Sequence, residues 1–472
     1  MRAAVSRWWA PAYGALLVLS LTWPFLMPGE AFALRDMMVF DAMALTRASL
    51  GWGDLAARNV PQDALLGILP WPVAFVRVFM VAAAGCAAWA GHRFGRTPFG
   101  RAAAMTVAVW NPFVVERLLQ GQWSLAAAAW LLPLVALGLV PASGLAHWLA
   151  SLTPTGALAA ACFSRGWRGV AVSVCTCLPW VVAGVFAGTP GTSSAASAAA
   201  FAPRAEAYAG TLGSLLGLGG IWNGQVVPAS RELGFALFGV ALCALLALAW
   251  RSVPRRFLLL AALGFAVALA SWAGLTAPLI QHLPGGGLLR DGQKWLVLAI
   301  PAFVVAAGAL EPRRALAAAT FALLQVPDAP VALAALTPTT IEVPAVDHRG
   351  RDVLFESRPA LVPIDGHPVV DPAPKAMNVV ESGALTVDGV AVDPPSLRWT
   401  AAQAALNDQE RLRELGVGVV VRADGSVAET GEPAHPLPPA GIALFALWCM
   451  VPLLQCVRNH TGAHRTPSPA HF

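Results

Sequence analysis

The sequence predicts an all-α polytopic membrane protein of about ten spans plus a re-entrant hairpin, with a small extracytoplasmic α/β or α+β segment. Three observations predict it. Hydrophobic residues make up 57% of the 472-residue chain and charged residues only 12%, half of the roughly 25% that a soluble domain uses. Apolar stretches of spanning length recur from one end to the other. Between about 337 and 436 the long apolar runs give way to Pro, Asp and Val. So few charges leave too little polar surface to cover a water-soluble globule of this length.

The first apolar stretch, Trp8–Met27, reads as a retained helix. The Pro28-Gly29-Glu30 that follows lacks the small-x-small pattern of a signal-peptide cleavage site. Further spans fall at 70–91, 101–118, 123–141, 168–188, 234–250, 257–273, 295–310, 315–334 and 437–456. The arginines set the orientation: Arg2 and Arg7, the run His92–Arg101, Arg165 and Arg168, Arg251, Arg255 and Arg256, and Arg313 and Arg314. With all of these cytoplasmic, the connections alternate and both termini are cytoplasmic.

One stretch breaks the alternation. His147–Phe163 must begin and end on the cytoplasmic side, and Thr153-Pro154-Thr155-Gly156 divides it into two short apolar halves. It reads as a re-entrant hairpin with its tip buried, or as a kinked full span beside a misplaced neighbour. Four units result: a transmembrane domain at 1–336, a soluble extracytoplasmic segment at 337–436, a last helix at 437–456 and a cytoplasmic tail at 457–472. Within the soluble segment, Asp408–Leu415 reads as a helix and Val417–Arg422 as a strand. A turn at Asp424-Gly425 and a second short strand follow. The Ala/Ser run Gly191–Ala200 reads as a mobile loop. The seven cysteines lie in or beside apolar stretches and read as packing residues, not as a disulfide or zinc framework. The net charge of +5 reflects loop arginines that orient the chain, so nucleic acid is not an expected partner.

Four polar groups interrupt the oil. Arg35, Asp36 and Asp41 follow the first helix; a carboxylate there serves as a general base or a cation ligand, or Asp36 simply pairs with Arg35 or caps a helix. Arg58, Gln62 and Asp63 precede the second span, where Asp63 suits a helix start and a substrate role is secondary. Asn111-Pro112 breaks the third span, and Glu116, Arg117, Gln120 and Gln122 then make a tight outer turn, read as a sugar- or phosphate-contacting rim or as a plain loop. Gly285–Trp295 holds Arg290, Asp291, Gln293 and Lys294. Basic groups in the first turn of a helix oppose its dipole, and on the outer face they oppose the orientation rule. A lipid phosphate resolves both conflicts; interfacial snorkelling with an Arg290–Asp291 pair is the plainer reading.

These motifs, "LRDMMVFDAMALTRASLGWGDLAARNVPQDAL", "WNPFVVERLLQGQW", "SLTPTG", "CLPW" and "LLRDGQKWL", in this order resemble actinobacterial membrane proteins related to the GT-C glycosyltransferase superfamily, over about residues 8–335. Mycobacterial and corynebacterial arabinofuranosyltransferases and mannosyltransferases are the kin the resemblance suggests. It implies a GT-C-like transmembrane fold in the cell membrane and transfer of a sugar from a polyprenyl-phosphate donor to a cell-envelope glycan or glycolipid on the outer face. It implies a catalytic acid at Asp36, with Asp41 as alternate, and donor-phosphate binding by Arg290, Lys294 and Arg35. Glu116, Arg117, Gln120, Gln122, Asp291 and Gln293 would contact substrate. A divalent cation such as Mg or Mn is the cofactor such chemistry allows, although the first loop has no Asp-Asp or Asp-x-Asp pair and no metal ligand is assigned. The alternative is a non-catalytic protein of the same fold that binds, moves or regulates lipid-linked sugars.

Overall fold

A computed structural model describes residues 2–186, 194–387 and 389–456, with the side chains of 2–7 and 454–456 left aside. The expected tail at 457–472 lies outside the described residues. The chain is mostly helical with a few small sheets. Among the described residues seven helices are long and apolar enough to cross a membrane: Trp8–Leu26, Pro72–Phe94, Pro98–Leu119, Gly166–Phe186, Arg255–Trp272, Gly292–Ala309 and Pro312–Leu336. They mark a membrane-embedded protein. Each coincides with an expected span. The other three expected spans, at 123–141, 234–250 and 437–456, form shorter apolar helices, Trp123–Leu137, Ala236–Ala247 and Pro439–Leu453.

Burial sorts these helices into centre and rim. Pro98–Leu119 is 94% buried inside the protein, whereas Gly166–Phe186 is 22% buried and turns Trp167, Val170, Val174 and Val185 outward. Trp123–Leu137 has no polar face and is buried from Trp123 to Ala136. A helix apolar all round belongs in such a core, and Gly138, in a left-handed conformation, ends it.

The predicted break in His147–Phe163 is present. Helices Ala142–Ala150 and Pro154–Phe163 flank it, with Ser151 and Leu152 wholly buried between them. Pro154 opens the second helix, where its missing N–H is no loss. His147 is enclosed with Ser164 Oγ at 2.7 Å on one ring nitrogen and Thr176 Oγ1 at 3.3 Å on the other. The C-terminal helix docks here: the Trp448 and Trp148 rings lie 4.7 Å apart and Trp448 Nε1 donates to Ser151 Oγ.

Two stretches depart from expectation. Residues 195–200 of the Ala/Ser run form a short helix capped by the Ser194 hydroxyl, since Ser at this position accepts from a free helix amide. In the first loop, strands β1 (Ala31–Leu34) and β2 (Met37–Phe40) form a buried antiparallel hairpin. An apolar run without alternation gave no strand signal because both faces are covered.

In the segment at 337–436 the expected helix, strand and turn are present. Asp408 caps the helix Gln409–Glu414 through the amide of Arg411, and Leu412 faces inward. Strand Val419–Val421 follows, with Asp424 and Gly425 turning the chain into Val427–Glu429. Val353–Phe355 adds a parallel partner to Val419–Val421, making a three-stranded sheet. Two hairpins complete it, Leu361–Ile364 with His367–Val370 and Leu385–Val387 with Val390–Asp393.

This segment is clamped to the first loop. Lys375 pairs with Asp63 at 2.9 Å, Arg398 with Asp54 at 3.3 Å, and Arg47 with Asp352. Glu381 lies among them: burial first, then Asp54, pushes its carboxyl up to about 8 against the pull of Lys375, with Asp63 and Asp371 adding to the rise. The folded chain therefore holds a proton that the unfolded chain, titrating near pH 4.3, has released. Stability falls as pH rises from about 4 to about 8 and levels off above. Glu381→Gln is expected to flatten that part of the curve, measured as unfolding temperature at pH 5 to 9. An unchanged slope would assign the pH dependence elsewhere.

Candidate functional site: a cationic recess around Asp36

The Arg35-Asp36 pair is the two-residue turn of the first hairpin. Such turns favour Gly or Asn because positive φ is needed. Arg35 adopts φ 49° without that excuse, a strain on the order of 1–3 kcal/mol that surrounding contacts must hold. Its guanidinium is buried and donates to the carbonyls of Leu119, at 2.9 Å, and Gln225, at 3.3 Å. Its own carbonyl accepts from Val370. Two of the five N–H groups of Arg35 are thus spent on backbone carbonyls, and its buried Nε has no partner among the described residues.

That strained turn delivers Asp36 to a fixed place. Its amide donates to the Gln120 carbonyl at 3.1 Å, and its carboxylate accepts from Gln122 Nε2 at 3.1 Å. Gly121 makes the approach feasible. It sits at φ 81°, and a Cβ there would collide with the Leu34 carbonyl and the amides of Asp36 and Met37. Asp36 is open to solvent, yet loss of bulk hydration raises its pKa above the ordinary value, opposed by Gln122, Gln120, Arg58 and Arg117. Arg58 behaves alike. Its side chain is 60% exposed, and burial followed by the charge of Arg290 lowers its pKa. Both groups reach the surface, yet the surrounding chain removes part of their hydration.

Behind Asp36 runs a chain of buried contacts. Arg117 is wholly buried and grips Asp291 with both Nη atoms, Nη2 lying 3.0 Å from Oδ1. It also donates to Gln293 and, at 2.7 Å, to Gln122 Oε1. Gln122 therefore links a guanidinium to Asp36 in one step. Burial opposes ionisation of Asp291, but Arg117 outweighs it and the carboxyl stays below its usual range. Glu116, equally buried, faces the other way: Arg231 lies between it and Glu206, at 3.6 and 2.5 Å.

The opposite wall belongs to the second motif. Residues Gly292–Ala299 form a 3₁₀ helix, a form uncommon at this length and frequent at functional hinges. Arg290 does not pair with its neighbour Asp291. It reaches Asp393 of the soluble segment at 2.6 Å and stacks over Phe201, 4.0 Å from the ring centroid. The same Asp393 oxygen lies 3.5 Å from Arg58. Lys294 is half-buried, within electrostatic reach of Asp291, Arg117, Arg290 and Arg58. Its ammonium makes no ion pair or hydrogen bond among the described residues. The chain's other lysine, Lys375, is fully engaged with Asp63.

The expected site residues thus divide. Asp36, Gln122, Arg117, Asp291, Gln293, Arg290 and Lys294 converge; Gln120 joins through its carbonyl and through Asn223, 2.8 Å from its side chain. Glu116 and Arg117 are not an exposed rim, because each charge is buried against a distant partner. Asp41 is not brought to Asp36: its carboxylate accepts from the amide of Val73 at the start of the Pro72–Phe94 helix, where an acid satisfies free N–H groups. Of the run Gly285–Gly287, Gly286 brings the backbone close to the chain itself, as a Cβ there would strike the Leu279 carbonyl, whereas Gly285 faces open space. Two recess residues carried little or no signal in the sequence: Arg58, read as secondary, and Asp393, passed over in the soluble segment.

A divalent cation needs several oxygen ligands. Among the described residues no three His, Cys, Asp or Glu side chains gather to hold one, so no chemical step is derived through a metal. No protein-family model, no curated protein and no solved structure matches the chain.

Proposed function

We propose that the protein is a membrane glycosyltransferase of cell-envelope assembly. It moves a sugar, arabinofuranose or mannose, from a polyprenyl-phosphate donor to a glycan or glycolipid acceptor. In this reading the recess and the soluble segment lie on the outer face of the cell membrane, with both termini cytoplasmic. The observation that carries it is the unpaired ammonium of Lys294, within electrostatic reach of Arg58 and Arg290, with Arg58 in turn within reach of Asp36. Clustered cations with one unanswered charge suit a phosphate.

The chemistry asks little more. The acceptor hydroxyl gives its proton to an Asp36 oxygen as its own oxygen attacks the anomeric carbon. The bond from that carbon to the phosphate oxygen breaks, and the electron pair leaves on the phosphate, where Lys294, Arg58 and Arg290 stabilise it. Attack opposite the leaving group inverts the anomeric centre. The raised pKa of Asp36 makes it a stronger base than an ordinary surface carboxylate.

Transfer from a radiolabelled polyprenyl-phosphoryl sugar by the reconstituted full chain tests the reading. Lys294→Gln is expected to weaken donor binding roughly 10- to 100-fold, the worth of one charge-assisted contact. Donor binding that ignores the substitution would remove the basis of this function.

A further inference from the structure

We propose that Asp393 sets the charge of the head group the recess accepts, favouring a singly charged phosphodiester over a pyrophosphate. The inference rests on the reading of the recess as a phosphate site.

Arg117 is matched by Asp291, and Arg35 adjoins Asp36. Arg58, Arg290 and Lys294 repel one another; Asp291 acts on Lys294 and Asp36 on Arg58, and Asp393 is the one carboxylate that pairs with both Arg58 and Arg290. One oxygen of Asp393 lies between both guanidinia, at 2.6 and 3.5 Å, the place that an oxygen of a second phosphate would otherwise take. Asp393 is held there on both sides. It ends strand Val390–Asp393, which pairs with Leu385–Val387, and the preceding carbonyl, of Val392, accepts from Ser194 Oγ at 2.6 Å. The soluble segment contributes a fixed negative charge to a cationic wall, and each added ligand charge must be placed against it. A pyrophosphate therefore loses more than a phosphodiester.

Binding to the full chain in detergent tests this with two probes, farnesyl methyl phosphate and farnesyl diphosphate. The native chain should prefer the diester. Asp393→Asn should shift the affinity ratio about tenfold toward the diphosphate, less at high salt, and Asp393→Glu should restore the native ratio. In an Arg290→Gln background the shift should shrink. A ratio that stays fixed in Asp393→Asn overturns the proposal, including the case where both probes weaken equally, as for a merely structural residue. A full shift that persists without Arg290 overturns it too. If neither probe binds, or Lys294→Gln leaves both unchanged, the phosphate reading itself fails.

Discussion

Asp36→Asn is expected to lower sugar transfer about 10²- to 10⁴-fold while leaving the donor bound. The substitution keeps size and hydrogen-bonding capacity, so the hairpin turn, fixed by the Asp36 amide on the Gln120 carbonyl and by Arg35 on Leu119 and Gln225, should persist. What is lost is the capacity to take a proton. The cations assigned to the phosphate are untouched, so donor affinity should hold or rise. Steady-state transfer and equilibrium donor binding, measured on the same preparation, separate the two. Full activity in Asp36→Asn would remove the acid from the mechanism. Normal turnover with lost binding would reassign it to the donor.

Arg117→Met should have the largest effect on the fold. It leaves Asp291 buried without its partner and strips Gln293 and Gln122 of their donor. Breaking one side of a buried pair costs about 3–5 kcal/mol, whereas replacing both sides with apolar groups is often close to neutral. The expected result is a sharp fall in unfolding temperature for Arg117→Met and substantial recovery in Arg117→Met with Asp291→Leu. Recovery of stability should not bring back transfer, because Gln122 would no longer be oriented toward Asp36. A single mutant as stable as the native chain would contradict the buried pairing.

How much of this was legible follows from the range of each interaction. Spanning helices depend on local composition, and each expected span became a helix. The break at Thr153-Pro154 and the helix beginning at Asp408 are set by neighbours within a few residues and were equally visible. The charges at 290–294 stood out because they violate two local rules. Their partners did not, since Arg117 meets Asp291 at a separation of 174 residues and Arg290 meets Asp393 at 103. No periodicity encodes such pairs, so Glu116 and Arg117 read as a rim when they are interior. The hairpin at 31–40 escaped because its turn uses Arg and Asp where Asn and Gly are usual, and because its strands are covered on both faces.

The clamp between the first loop and the soluble segment also orders events in biogenesis. Lys375 and Asp63 are 312 residues apart, Arg398 and Asp54 are 344, and Asp393 must reach Arg58 across a similar interval. A chain emerging from the ribosome inserts its early helices first. It therefore carries Asp36 and Arg58 long before the late carboxylate and the late cations arrive. The nascent polypeptide cannot assemble a finished cleft, and maturation of this wall waits until Asp393 has been made.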